Sequence, residues 1–146
     1  MVTSFYGEYN LMLDAKNRMR LPAKYRAMLQ DGYYILSGAN GCLWVMTSER
    51  FNALTEKFAQ VPFSDIVARK AITKIMTSVV EPEEDAQGRF VLPAKAKNYA
   101  GINKNIIVAG AFDHVEIWSE ERYQELGYQE SEDFNQMLVA LKDYGI

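Results

Sequence analysis

DAKNRMRLPAK, residues 14–24, is written again 71 residues later as DAQGRFVLPAK, residues 85–95. Asp14, Ala15, Arg18 and Leu21-Pro22-Ala23-Lys24 recur as Asp85, Ala86, Arg89 and Leu92-Pro93-Ala94-Lys95. With a one-residue gap the correspondence runs on. YYILSGANGCLWVMTSERF (33–51) falls on NIIVAGAFDHVEIWSEERY (105–123), so Gly38 meets Gly110 and Arg50 meets Arg122. Two copies are too few for a solenoid. They read as one duplicated supersecondary unit within a single domain over 1–146. The copies span about 5–60 and 76–130, and a helix follows the second.

Within each copy the pattern predicts β-β-α-β-β. Tyr9–Leu13 reads as a strand, and Asp14-Ala15-Lys16-Asn17 as a turn with Asp accepting from backbone N–H groups. Asn17 stands where the second copy has Gly88, and an Asn–Gly exchange points to a left-handed backbone. Arg18–Leu21 and Arg89–Leu92 leave the turns as strands. Pro22 and Pro93 suit the first position of short helices. Tyr33–Ser37 with Leu43–Met46, and Ile106–Ala109 with Val115–Trp118, read as strand pairs around glycine-bearing turns. Thr77–Val80 reads as the first strand of copy two.

Helices follow the copies. Thr47 or Ser48 is expected to cap one carrying Phe51, Leu54 and Phe58, and Ser119 one carrying Tyr123 and Leu126. After Val61-Pro62, Ser64 is expected to cap a helix with Ile72, Ile75 and Met76 on its apolar stripe. Ser131 would start the last helix, with Glu132 and Asp133 in its first turn and Phe134, Leu138 and Leu141 on a packed side.

Composition is that of a globular chain, 49% hydrophobic and 24% charged, with no apolar run long enough to span a membrane. The opening MVTSFYGEYN has neither a basic nor an apolar leader segment, and Cys42 is the lone cysteine; both favour the cytoplasm. Net charge is −3, but residues 1–112 carry 14 Lys+Arg against 10 Asp+Glu, and residues 113–146 carry 2 against 9. Binding follows local potential, so a basic face remains compatible with a polyanion. Catalysis finds little support. His114 is the only histidine, Asp113 and Glu116 lie close to it in sequence but only residues 114 and 116 share a strand face, and no phosphate loop or nucleophile elbow is present. No metal, cofactor or small-molecule substrate is expected.

The doubled Asp-Ala-x-x-Arg-x-x-Leu-Pro-Ala-Lys motif, the early Gly7 and the Gly…Ile-Trp strand end resemble the MraZ family over essentially the whole chain. The resemblance implies an α+β fold like that of AbrB: a pseudo-duplicated β-barrel from two interlocked ββαββ repeats with flanking helices. It also implies a ring homo-oligomer of about eight subunits. Such a ring would bind short direct repeats in promoter DNA at the head of the division and cell-wall gene cluster, in the cytoplasm and associated with the nucleoid.

In that setting Arg18 and Arg89 are placed to bond guanine from a β-ribbon in the major groove. Lys16, Arg20, Lys24 and Arg26, with Lys95 and Lys97 in copy two, would meet phosphates. A second role stays open for the arginines, since Asp14 and Asp85 at the same spacing can brace each turn by pairing with them. Copy two has Gln87, Val91 and Ala96 where copy one has Lys16, Arg20 and Tyr25, so copy one is expected to dominate contact with DNA. Arg69, Lys70 and Lys74 read as an exposed helix face, and Tyr33, Tyr34, Trp44 and Trp118 as core or subunit interface. The rival to a regulator is an AbrB-like antitoxin or other protein-interaction module, with the acidic C-terminal stretch wrapping a partner. The apolar periodicity at Phe134, Leu138 and Leu141 speaks for a packed helix instead.

Overall fold

The computed structural model describes residues 4–126 and 134–146. Its strands are β1 (Glu8–Met12), β2 (Arg18–Met19), β3 (Tyr33–Ser37), β4 (Leu43–Thr47), β5 (Phe90–Val91), β6 (Asn105–Gly110) and β7 (Val115–Ser119). The helices are α1 (Ala23–Met28), α2 (Ser48–Phe58), α3 (Ile66–Ser78), α4 (Ala94–Ala100), α5 (Glu120–Glu125) and α6 (Phe134–Val139). Ser131, Glu132 and Asp133, expected to open the last helix, lie outside the described residues.

Five strands form one antiparallel sheet in the order β1-β6-β7-β4-β3, while β2 and β5 form a separate two-stranded ribbon. Only the hairpins β3–β4 and β6–β7 stay within one copy. β1 pairs with β6, from Glu8↔Ala109 to Met12↔Asn105; β4 pairs with β7; β2 pairs with β5. Strands of one copy therefore complete the hydrogen bonding of the other.

The fold is α+β, as the sequence reads, but the expected barrel is not closed. β1 and β3 each pair on one side only in the sheet, and the ribbon is not part of it. The expected strand Thr77–Val80 is also absent. α3 runs on to Ser78, where the Thr77 and Ser78 hydroxyls bond the carbonyls of Lys74 and Ile75 and satisfy the helix end. Those local bonds outweigh the β-propensity of the residues. Val80 reaches the sheet edge, exchanging two backbone hydrogen bonds with Ile35, and the Ser78 hydroxyl accepts there from Ser37 N at 2.9 Å. Pro82, with no N–H, follows two residues later and cannot donate to a ladder.

Alternation along the strands divides the apolar residues between two faces. Ile35, Leu43, Val45, Ile106, Val108, Val115 and Ile117 face the main core with Met19, Leu21, Phe90 and Leu92. Leu36, Met46 and Phe51 pack on the opposite face under α2, and Cys42, Ile107, Trp118 and Tyr123 under α5. Full burial of such side chains stabilises by about 1.5–3 kcal/mol each. Trp118 is thus core, while Tyr33, Tyr34 and Trp44 are half-buried.

The Leu-Pro-Ala-Lys motif is explained by this packing. Leu21 and Leu92 are buried beneath the ribbon. Pro22 and Pro93 sit one residue before the helices rather than inside them, with ψ 140° and 152°. Thr47 and Ser119 accept the caps from Arg50 N and Arg122 N, each at 3.1 Å. For α3 the cap is Asp65, accepting from Ala68 N, rather than Ser64. A carboxylate suits that end because it also opposes the helix dipole.

The copies differ most at one core position. Tyr25 is wholly buried, packs edge-on against Phe5 and Tyr9, and donates to the carbonyls of Tyr6 and Gly7. Its counterpart is Ala96, which lines a groove of about 620 Å³ with Trp44, Ile75, Val80 and Tyr99. At the C-terminus, α6 is not packed as expected: Phe134 is 54% exposed, and Leu138 and Leu141 are exposed too. No described helix is long and apolar enough to cross a membrane.

Candidate nucleic-acid interface

The ribbon β2–β5 has an inner and an outer face. Met19, Phe90, Leu21 and Leu92 point inward and are buried. The alternate residues Arg18, Arg20, Arg89 and Val91 point outward. Arg18 stands opposite Val91, and the same register extended by one residue sets Arg20 opposite Arg89. Asp14, Arg18, Arg20, Gln87 and Arg89 line one groove of about 460 Å³. Three of the candidate arginines, from two distant stretches, thus share one surface.

Each turn has the same internal geometry. Asp14 Oδ1 accepts from Lys16 N at 2.9 Å and Arg18 N at 2.8 Å, and Oδ2 accepts from Arg18 Nε at 2.7 Å. In the second turn Asp85 accepts from Gln87 N, Arg89 N and Arg89 Nε at 2.9, 2.9 and 3.0 Å. The Arg18 N–H above all, helped by the Arg18 side chain and the Lys16 N–H, holds the Asp14 carboxyl down at about 2. The Arg89 N–H leads the same downward shift at Asp85. Asn17 and Gly88 are both left-handed, at φ 59° and 80°, as the Asn–Gly exchange predicts. Only Nε of each arginine joins its aspartate. Among the described residues neither Arg18 nor Arg89 makes a hydrogen bond through its Nη groups.

The next basic pair is reciprocal. Lys97, on α4 of copy two, donates from Nζ to Asn17 Oδ1 at 2.7 Å, across to the first turn. Arg26, its counterpart on α1, lies over the second turn: a Cβ built on Gly88 would come within 2.5 Å of Arg26 Nη2. Arg26 Nη2 also donates to Glu84 at 3.1 Å, and the Tyr33 hydroxyl donates to the same carboxylate at 2.6 Å. Burial would raise the Glu84 pKa, but the bonds from Tyr33 and Arg26 outweigh it and pull it down. Lys24 Nζ sits 3.0 Å from the Tyr6 ring centroid, and Lys95 Nζ donates to Thr77 O at 3.2 Å. Lys16 and Arg20 are exposed. In the other basic segment, Arg69 stacks on Phe63.

His114 meets Glu116, which shares its strand face as alternation indicates, and also Asp113, which alternation sets on the other face. His114 bonds Asp113 through Nδ1 and Glu116 through Nε2, at 2.7 and 2.9 Å. Arg50 pairs with Asp113, and Trp118 Nε1 donates to Glu116. Burial would lower the His114 pKa, but the bonds to Glu116 and Asp113 raise it. Both ring nitrogens are engaged by carboxylates. Cys42 is buried, and desolvation pushes its thiol up to about 12, far from a reactive thiolate.

An open antiparallel sheet thus carries a doubly braced, arginine-faced ribbon. A family model described as "MraZ protein, putative antitoxin-like" matches residues 4–73 and 75–141. The chain is 38% identical over 143 residues to a protein of Clostridium beijerinckii, covering 97% of this chain and 99% of that one. Its identity is 32% over 142 residues to a protein of Ligilactobacillus salivarius and 37% over 143 to one of Clostridium acetobutylicum, with the same coverage of each chain. All three are named transcriptional regulator MraZ. The chain belongs to the MraZ family, a family of transcriptional regulators and not of enzymes.

Gln87, absent from the sequence-based candidates, lines the same groove, and Val91 faces outward on the same ribbon; each replaces a basic residue of copy one.

Proposed function

We propose that this protein is a sequence-specific DNA-binding transcriptional regulator of the division and cell-wall gene cluster. In this reading one domain built from two repeats presents the β2–β5 ribbon to the major groove. A ring of about eight such chains engages short direct repeats in promoter DNA. It acts in the cytoplasm, at the nucleoid.

The observation that carries the reading is the outer face of the ribbon. Like charges opposite one another destabilise a strand pair, yet the ribbon's register, extended by one residue, sets Arg20 opposite Arg89 with Arg18 beside them. A polyanion relieves that repulsion. The aspartates hold Nε of Arg18 and Arg89 and leave the Nη edge for guanine O6 and N7. Bracing and base contact are then two functions of one side chain. Lys16 and Arg20 are exposed for phosphate contact, with Lys24, Arg26, Lys95 and Lys97 as further cationic groups along the two helices.

The test is fluorescence-anisotropy binding to the protein's own upstream DNA and to a scrambled duplex across a salt series. The proposal expects preference for the native duplex and a steep salt slope. It expects a loss of about 1–3 kcal/mol in Arg18→Ala and in Arg89→Ala, with the oligomer intact by light scattering. Equal weak binding to both duplexes would sink it.

A protein-interaction reading draws on the exposed apolar side of α6 and on the antitoxin-like description of the family. It expects an untagged preparation to copurify with a small basic protein, and truncation before Phe134 to release that protein while DNA binding persists.

A further inference from the structure

The two strands of the ribbon are not equivalent. Along the first, the outward residues are Lys16, Arg18 and Arg20, all cationic. Along the second they are Gln87, Arg89 and Val91, with one cation at the centre. The central arginines are held alike by Asp14 and Asp85, so the flanks alone tell the strands apart.

Gln87 has its backbone fixed, because its N–H is bonded to Asp85 Oδ1. Its side-chain amide makes no hydrogen bond among the described residues and opens on the groove shared with Arg18, Arg20 and Arg89. A side chain with one amide donor and one amide acceptor matches adenine N6 and N7. Val91 is 56% exposed, although its neighbours Phe90 and Leu92 are each 1% exposed. It stands opposite Arg18, on the most strongly cationic face of the ribbon. An apolar side chain is thus displayed to solvent there, and the apolar group displayed in the major groove is the thymine methyl.

We infer that the strands divide the task of recognition. Lys16 and Arg20 flank Arg18 as phosphate anchors, and Gln87 and Val91 flank Arg89 as specificity-determining residues, for adenine and for the methyl of thymine. The inference rests on the regulator reading above. It assigns most of the salt-dependent affinity to copy one and most of the sequence preference to copy two.

The experiment is enrichment of bound duplexes from a randomised DNA library by the full-length wild type, Gln87→Ala, Val91→Ala and Val91→Thr. Each enriched duplex is then rebuilt with uracil for single thymines and 7-deazaadenine for single adenines. Circular dichroism and light scattering confirm that each variant is folded and assembled. The wild type should lose about fourfold in affinity when one particular thymine becomes uracil, the worth of one methyl group. Val91→Ala should be indifferent to that exchange, and Val91→Thr, which keeps a methyl, should still respond to it. Replacing one adenine should cost the wild type about fivefold or more and Gln87→Ala nothing. If both alanine variants enrich the wild-type sequence and respond to the modified bases as it does, the inference is overturned and the regulator reading stands. If the wild type itself enriches no sequence, the regulator reading fails, and this inference with it.

Discussion

The first turn passes through its left-handed residue with asparagine and the second with glycine, and the reason lies in what the other copy lays on top. Over the first turn Lys97 brings an ammonium group that needs an acceptor, and Asn17 Oδ1 provides it. Over the second, Arg26 brings a guanidinium that is already bonded to Glu84 and occupies the space of a side chain. Two turns with the same aspartate brace thus have opposite requirements at one position. Duplication preserved the hydrogen-bond plan, and the neighbouring copy decided the side chain.

The comparison breaks most visibly in the core beneath the turns. Tyr25→Ala should cost about 3–5 kcal/mol in urea unfolding, since it opens a cavity and removes two hydrogen bonds to backbone carbonyls. Ala96→Gly at the matching site should cost no more than about 1 kcal/mol. A Tyr25→Ala chain as stable as the wild type would mean that the two cores are alike after all.

Next come the turns themselves. Gly88→Ala should destabilise by about 1–3 kcal/mol, because alanine is strained at φ 80° and its methyl displaces Arg26. Asn17→Gly keeps the backbone and loses one exposed hydrogen bond, so a cost below about 1 kcal/mol is expected by the same measurement. Equal costs would show that the overlying Arg26 and Lys97 do not matter.

A smaller effect sharpens the surface comparison. Gln87→Lys copies the first turn's residue into the second. It should steepen the logarithmic salt dependence of DNA binding by about 0.9 if the new lysine reaches a phosphate. An unchanged slope would keep the second turn away from the DNA backbone.

The smallest tests the two braces by acid. A carboxyl depressed in the folded state contributes stability that is present above its ordinary pKa of 3.8 and lost as pH falls through its folded value. For Asp14 that loss runs from about pH 4 to about 2. Asp85 is lowered too, by the Arg89 N–H above all, so its contribution is likewise lost only below the ordinary carboxylate range. Carboxyl-carbon NMR titration reads both midpoints, and an ordinary midpoint at either aspartate would contradict the brace.

Much of this plan was legible because it is local. Asn17 and Gly88, the caps at Thr47 and Ser119, and the two strand hairpins are all set by residues within a few positions. The edge at Val80 was not legible, because Thr77 and Ser78 favour a strand by type and a helix end by the hydrogen bonds they make. Family likeness implied interlocked repeats, but not that β1 pairs with β6, since alternation marks which face is buried and not which strand lies alongside. At the candidate site, the basic residues were visible from clustering. That Arg26 and Lys97 each cross to the opposite turn, while Lys24 turns to Tyr6, depends on how the copies interlock, which no short segment encodes.

That interlocking has a consequence for synthesis of the chain. The partner of Leu11 is Ile106, roughly 95 residues later. At about 5–20 residues per second, the first copy leaves the ribosome and waits on the order of 5–20 seconds before its strand can pair. A chain stalled before residue 105 should accordingly be cut by protease within the first copy, and protection there would contradict this. Until release, the earlier half is a template with an open edge, and another nascent copy from the same messenger can supply the missing strand. An architecture that shares its strands so evenly makes neighbours on one polysome potential substitutes for the chain's own second half.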